Sequence, residues 1–330
     1  MKYAKKFIAD YNLKHFVSVV GYRCRKNVRP FPPILQIQTS NSCNSSCQMC
    51  PNTRNKNRPK ELMEDEVFQR IILEVEREAR KKTLILLYLQ NEPLTDSRLW
   101  EKVRFVQDHN NGNLSVGILT NGSLLTKDTL EKVIQSRIDF ISISLDAYSK
   151  QTYEKIRTGL DFNTVQKNLE ELLQSKFDNT HVAVEYVLQK SNVSEFEAFK
   201  RYWSSRVGAV MVNHLSNRSG QLPDYEELSA NRSRFGVWDR FQYGMVRHLV
   251  TICPKPYVAF HITSNGDVLL CTEDYARKMI VGNIKTASIK EIWNSEKYNK
   301  LRKQIGQKQY KNIDLCKDCS LWRQRVLHWF

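Results

Sequence analysis

An apolar run, Ile34-Leu35-Gln36-Ile37, leads directly into three closely spaced cysteines, Cys43, Cys47 and Cys50. Their spacing, C-x3-C-x2-C, constrains this chain more than any other feature. A strand that ends in such a loop presents three thiolates to one point in space. Three thiolates ligate three irons of a four-iron cluster and leave the fourth iron open to a small molecule. The competing reading is a zinc knuckle, which also gathers close cysteines. Zinc wants a fourth ligand and none is near: Cys24 is the only other upstream cysteine, and His109 is the next histidine downstream.

The pattern after the loop predicts an α/β fold. Strand-like runs at 34–38, 84–89, 114–119, 139–144, 182–188 and 208–213 alternate with helical stretches such as 64–80 and 127–136. Thr126 stands where an N-cap belongs. Six strand–helix units argue for a parallel sheet with helices outside it. Residues 1–33 read as a basic N-terminal arm whose Phe7, Ile8, Tyr11, Phe16, Val19 and Val20 give a short amphipathic helix. The sheet-forming core spans 34–222 and a connector 223–250. A second unit at 251–330 has strands at 257–262 and 268–271, joined by a Ser264-Asn265-Gly266-Asp267 hairpin turn.

At 330 residues with 41% hydrophobic and 26% charged content, the chain is globular and buries a sizeable core. No run of about 18 apolar residues predicts a membrane span, and no signal peptide is visible. Eight cysteines in this setting read as metal ligands of a cytoplasmic protein rather than as disulfides. The net charge of +16 gathers at the ends, with eight Lys/Arg against one acid in residues 1–34 and nine against two in 297–330. Such a surface attracts anionic substrates, acidic electron donors, lipid or nucleic acid. No nucleic-acid motif accompanies it, so nucleic acid is not an expected partner.

The segment Ser42-Cys43-Asn44-Ser45-Ser46-Cys47-Gln48-Met49-Cys50-Pro51-Asn52 resembles the cluster loop of the radical S-adenosylmethionine (SAM) superfamily. The resemblance implies a partial (β/α)6 TIM barrel. It also implies a [4Fe-4S] cluster on Cys43, Cys47 and Cys50, whose open iron chelates SAM and whose electron cleaves it to a 5'-deoxyadenosyl radical. Function then gathers at the C-terminal strand ends, as in complete barrels. Glu92, in Leu89-Gln90-Asn91-Glu92-Pro93, resembles the Glu of the family's Gly-Gly-Glu motif, which meets the SAM ammonium. Gln90 and Asn91 replace the glycines. Thr120-Asn121-Gly122 resembles the T-N-G turn, and Ser142-Ile143-Ser144-Leu145-Asp146 followed by Tyr153-Glu154-Lys155-Ile156-Arg157 resembles the S-x-D…Y-x-x-I-R signature. By that resemblance Asn121, Ser144, Asp146 and Gln189 are cofactor-binding residues, and Met49 shields adenine where relatives place an aromatic ring. Asn217-Arg218-Ser219-Gly220 resembles an N-R-x-G turn of relatives with extra clusters, and makes Arg218 a candidate for binding a carboxylate or phosphate.

Four further cysteines, Cys253, Cys271, Cys316 and Cys319, follow the pattern C-x17-C-x44-C-x2-C. Four thiolates complete a cubane, with an all-cysteine zinc site as the rival. The pattern resembles a SPASM module in its shortened "twitch" form, a β-hairpin plus helix, as in the aminocyclitol-oxidising dehydrogenases of aminoglycoside biosynthesis. The resemblance implies two [4Fe-4S] clusters, SAM, and a reducing electron donor such as flavodoxin or ferredoxin. The expected reaction is oxidation of a hydroxyl of a sugar- or aminocyclitol-like, possibly anionic small molecule, with the auxiliary cluster accepting an electron. The alternatives are epimerisation of a carbohydrate or peptide residue, and maturation of a peptide natural product. Cys24, the one cysteine left over, is the hydrogen-atom donor that an epimerase would need.

Overall fold

The computed structural model describes residues 28–55, 59–175, 180–230 and 252–321. Cys24, the amphipathic stretch before Val28, most of the connector and the aromatic C-terminus (Trp322, Trp329, Phe330) lie outside the described residues. Six parallel strands form in chain order: β1 (Ile34–Ile37), β2 (Thr83–Leu86), β3 (Leu114–Thr120), β4 (Phe140–Ser144), β5 (His181–Leu188) and β6 (Ala209–His214). Helices α1 (Asp65–Glu78), α2 (Leu99–Asp108), α3 (Lys127–Ser136), α4 (Lys150–Ile156), α5 (Phe162–Gln174) and α6 (Phe196–Trp203) run between or beside them. The architecture is the open, parallel α/β sheet of a partial barrel.

The apolar spacing explains why these segments are helices. In α1, Val67, Phe68, Ile71, Ile72 and Val75 recur at three- and four-residue intervals and are all buried. Asp161 caps α5 by accepting from Thr164 N at 2.7 Å. The expected cap of α3 takes another form: Thr126 occupies the N-cap position, but its hydroxyl lies against the Thr129 hydroxyl at 3.1 Å and does not cap the backbone.

The second unit extends the same sheet. Strand β7 (Ala259–Ile262) pairs in parallel with β1, and β8 (Asp267–Leu269) and β9 (Ile280–Asn283) follow antiparallel, giving the order β6-β5-β4-β3-β2-β1-β7-β8-β9. Strand β9 is an addition to the two strands expected, and its Ile-Val-Gly-Asn sequence carries little alternating signal. Helices α7 (Tyr225–Leu228), α8 (Lys255–Val258), α9 (Ile289–Asn294) and α10 (Glu296–Gly306) complete the described elements. Trp293 of α9 is fully buried, with Phe260 and Tyr298 around it.

Strand register sorts the sheet into two faces, because paired residues point to the same side. One face is apolar. Leu35 pairs with Phe260 on one side and Ile85 on the other, and Ile85 pairs with Val116. Two residues further along β3, Ile118 continues the same face through Ile141 to Val182. All of these side chains belong to the main core under the helices. The opposite face carries Gln36, Tyr88, Ser142, Ser144, Glu185, Asn213 and His261, all buried. A polar interior face flanked by an apolar exterior one is what a barrel with a ligand in its mouth requires.

Candidate active site

The cluster loop is pinned to the C-terminal end of α4. Ser46 N donates to Thr158 O at 2.8 Å and Gln48 N to Ile156 O at 2.9 Å. Ser45 Oγ lies 3.2 Å from Cys43 Sγ and 3.4 Å from Cys47 Sγ, so these two thiols flank one hydroxyl. Burial, with Cys47 next to it, pushes the Cys50 thiol up to about 11, and burial also raises Cys43. Buried thiols with such pKa values give up their protons to a metal cation rather than to water. Met49 and Cys47 pack with Ile156, Leu215, Leu222, Tyr225 and Leu228, and this apolar shell covers those two residues while Cys43 stays exposed.

Glu92 is 3% exposed and ties three segments together. Its backbone N–H donates to Ser42 O at 2.9 Å, beside Cys43. Its carboxylate accepts from Thr120 Oγ1 at 2.5 Å, Asn121 N at 2.8 Å and Leu94 N at 3.2 Å. Asn121 in turn donates to Asn44 Oδ1 at 2.8 Å, so the T-N-G turn is latched to the cluster loop. Burial pushes the Glu92 pKa up from 4.5 to about 6 against the pull of these donors. A raised folded-state pKa means that its stabilisation is complete below pH 4.5 and is lost as pH rises through 6. The loss is about 2 kcal/mol. Glu92→Gln is expected to flatten the fall in urea-unfolding free energy across this window, and an unchanged slope would refute the assignment.

Asp146 is fully buried with φ 61°, in the left-handed region. Its Oδ2 accepts from Arg157 Nε at 2.7 Å and Nη2 at 2.5 Å, its Oδ1 accepts from Val187 N at 2.6 Å, and Asn192 Nδ2 donates to its carbonyl at 2.7 Å. Arg157 Nη1 then reaches Cys47 Sγ at 3.7 Å. Burial opposes the Arg157 charge, but Asp146 and Cys47 outweigh it and hold the guanidinium above its ordinary range. Asp146 therefore orients a cation toward a cluster thiol, and Arg157 is a site residue beyond those singled out from sequence.

Ser144 pairs in register with Glu185, and Ser142 Oγ donates to Glu185 Oε1 at 3.1 Å. Burial, despite that donor, pushes Glu185 up to about 7. The Tyr88 hydroxyl meets the Gln36 side chain, with Glu185 nearby. Gln189 is fully buried, and among the described residues neither its amide oxygen nor its amide nitrogen has a partner. Among the same residues both nitrogens of buried His261 lack partners too. Its burial, and Lys255 beside it, depress the imidazole to about 3 and keep it neutral. Orphaned buried amides and imidazoles mark places where a ligand completes the hydrogen bonds. Only the alternation of β4 pointed at this face in the sequence; Glu185 and Tyr88 sit in apolar runs and read there as core.

Cys253, Cys271, Cys316 and Cys319 come together from α8, β8 and the C-terminal loop. Each is partly buried, and all four act on one another electrostatically. Burial pushes Cys253 up to about 11 and raises Cys271 and Cys316 further. Among the described residues, no three His, Cys, Asp or Glu side chains converge tightly enough for a single metal ion. Arg218 meets both oxygens of Glu273 at 3.3 Å, and Lys255 Nζ meets Glu273 Oε1 at 3.0 Å. Arg218 and Ser219 have φ of 50° and 56°, strain that the clamp between Asn217 and the cysteine loop holds in place: Asn217 N donates to Ser320 Oγ at 2.9 Å and Ser320 N to Asn217 Oδ1 at 2.9 Å. The loop from Cys271 runs on to Tyr275, whose hydroxyl meets Cys50. One short loop thus touches both cysteine sets.

A polar barrel mouth with a three-cysteine loop, joined through its sheet to a four-cysteine module, defines a class. The chain belongs to the radical SAM superfamily: residues 37–202 match the model of that superfamily, and residues 253–320 match SPASM, an iron-sulfur cluster-binding domain. It is a radical SAM enzyme that uses SAM and two [4Fe-4S] clusters. Among particular proteins, it is 23% identical over 297 residues to the S-adenosyl-L-methionine-dependent 2-deoxy-scyllo-inosamine dehydrogenase of Niallia circulans, covering 87% of this chain and 92% of that one. The fold resembles that of BtrN in complex with AdoMet and 2-DOIA, with a TM-score of 0.59, 19% identity, and coverage of 87% of this chain and 92% of that chain. It also resembles Streptococcus suis SuiB bound to precursor peptide SuiA, with a TM-score of 0.64, 18% identity, and coverage of 92% and 73%. Among the described residues, no helix is long and apolar enough to cross a membrane.

Proposed function

We propose that this enzyme oxidises a hydroxyl group of a small polar molecule, a sugar or aminocyclitol, to a carbonyl. Cys43, Cys47 and Cys50 hold the SAM-binding cluster, and Cys253, Cys271, Cys316 and Cys319 hold the auxiliary one. When bound, SAM and the clusters supply a 5'-deoxyadenosyl radical and a one-electron acceptor. The observation that carries this reading is the loop from Cys271 to Tyr275, which reaches from one cysteine set to Cys50 of the other. An acceptor lying against the barrel mouth favours oxidation over hydrogen return. The similarity to a dehydrogenase over most of both chains supports the same reading.

The chain's own residues bind and steer. Glu92 accepts the SAM ammonium, the unpaired amide of Gln189 faces the nucleoside, and Met49 covers the adenine from its apolar shell. Gln36, Tyr88 and neutral His261 offer hydrogen bonds to substrate hydroxyls from the barrel interior. As the substrate carbon loses a hydrogen atom and then an electron, the hydroxyl proton passes to a Glu185 carboxylate oxygen. A carboxylate whose pKa is about 7 is suited to this task near neutral pH. The net charge of +16 suits an acidic one-electron donor of the flavodoxin or ferredoxin type. The barrel core at 34–222 and the module at 251–330 form the working units, with 223–250 linking them.

Anaerobically reconstituted enzyme is expected to form 5'-deoxyadenosine and a ketone or aldehyde in equal amounts. The rate should rise with pH through about 7, because Glu185 works deprotonated. Glu185→Gln should lose that rise and most of the product. Product that carries solvent deuterium at carbon without net oxidation, or turnover of peptides alone, would overturn the proposal.

A further inference from the structure

Lys255 is an ammonium in an unusual place. It lies two residues after Cys253 at the start of α8 and is 8% exposed. Its Nζ donates to Thr272 Oγ1 at 2.7 Å and to Glu273 Oε1 at 3.0 Å, on the segment that follows Cys271. It acts electrostatically on both Cys253 and Cys271. Glu273 is itself 3% exposed and is shared: Arg218 meets both of its oxygens at 3.3 Å, and Ser216 Oγ donates to Oε2 at 2.6 Å. Two buried cations therefore divide one carboxylate, which leaves the group with a surplus positive charge. Burying charge is unfavourable unless nearby groups compensate it. The groups on the Lys255 side are the thiolates of the four-cysteine set and, acting on Cys316, the buried Asp274, whose oxygens accept from Lys278 N and Met279 N.

Arg218 stands differently. It faces the other set, through Cys50 and Tyr275. There Glu273 accepts from one of its nitrogens, Nη1, with both oxygens at 3.3 Å, and the carboxylate offsets part of its charge beside the set that must hold a strongly reducing cluster. Lys255 meets one of those oxygens from the other side, and its charge falls on Cys253 and Cys271. Cluster potentials follow local charge and burial, and a buried charge acts strongly at short range.

We infer that Lys255 is a positioning residue for charge: it raises the reduction potential of the auxiliary cluster and makes that cluster an electron acceptor, while Glu273 keeps the same field away from the SAM-binding cluster. This rests on the reading that the four-cysteine set holds a cluster that takes up an electron from substrate. The role needs no proton to move: the ammonium of Lys255 donates to Glu273 Oε1 and Thr272 Oγ1, and this pairing keeps it charged.

The test is an EPR-monitored redox titration of the reconstituted holoenzyme without substrate, comparing wild type with Lys255→Met and Lys255→Arg. Methionine keeps the shape and removes the charge; arginine keeps the charge. Lys255→Met is expected to lower the auxiliary midpoint by at least a tenfold change in equilibrium constant, about 59 mV for one electron. Lys255→Arg should restore it, and the SAM-binding cluster should stay within a twofold change in both. A merely structural lysine would alter iron loading or thermal stability and leave the midpoint of loaded protein where it was; that result overturns the inference. Should Lys255→Met load no auxiliary iron, Glu273→Gln decides: removing the compensating carboxylate must raise the auxiliary midpoint, and an unchanged midpoint again overturns it. The shift with no ketone formed would sink the proposed reaction and leave the role of Lys255 standing. Ketone with unshifted midpoints would do the opposite.

Discussion

Cys47→Ser is expected to abolish reductive cleavage of SAM and to lower bound iron from about eight to about four atoms per chain, one cubane's worth. Cys47 is the most enclosed of the three loop cysteines, at 5% exposure, and it receives the most from its surroundings. Ser45 Oγ approaches it at 3.4 Å, Arg157 Nη1 at 3.7 Å, and its carbonyl accepts the Cys50 N–H at 3.1 Å. A serine hydroxyl in that shell holds its proton far more tightly than a thiol and is a poor ligand for iron. Cys271→Ser is expected to differ in kind. SAM cleavage survives, the other half of the iron is lost, and carbonyl product disappears because no acceptor remains. Iron analysis with quantified 5'-deoxyadenosine separates the two variants. Cleavage retained by Cys47→Ser would remove the assignment of the loop.

Asp146→Asn is expected to destabilise the fold by about 3–5 kcal/mol, the usual result of taking one partner from a buried ion pair. The substitution isolates charge. Asparagine tolerates the left-handed backbone that Asp146 adopts, so little new strain arises from φ 61°. It leaves Arg157, whose side chain is 12% exposed, facing an amide in place of a carboxylate. It also replaces one acceptor of the contacts to Arg157 and Val187 N by an NH2 donor. The urea midpoint should fall at constant slope, and adding Arg157→Met should recover most of the loss by removing the stranded cation. SAM cleavage should not recover in the double variant, since Cys47 then has no guanidinium beside it. Recovery of both would reduce Arg157 to a structural partner.

Much of this was legible before any coordinates. The six parallel strands appear within a residue or two of their apolar runs, except at β2, where the run to Leu89 leaves the sheet after Leu86 so that Gln90 and Glu92 can turn into the mouth. The cysteine sets announced themselves by spacing. Hidden from the sequence were the partners of the polar residues. Asp146 and Arg218 looked like groups waiting for a ligand, yet each meets a buried charge of this same chain, Arg157 and Glu273. Arg218 and Glu273, 55 positions apart, leave no local pattern to read, and the signature that holds both Asp146 and Arg157 does not say that they pair. Lys255 and Glu185 were hidden for a related reason: Glu185 sits inside an apolar strand, and the partners of Lys255 lie 17 and 18 positions away. The third strand of the module escaped because Gly282 breaks its alternation, and the reason for that glycine is spatial: a Cβ there would meet Ile292 at 2.9 Å.

The parallel pairing of β7 with β1 has a mechanical consequence. Ile34 to Ile37 bond to Ala259 to Ile262 rung by rung, and β1 leads straight into the three-cysteine loop while β7 and β8 lead to Cys271. The separation of the two cysteine sets is therefore gauged by a ladder of peptide hydrogen bonds and owes nothing to the length of the tether. A slip of β7 by a single rung would turn His261 to the other face while Gln36 stays in register with β2, and would shift Cys271 against the three-cysteine loop. A module grafted from a cousin enzyme would have to arrive with a strand cut to the same notch.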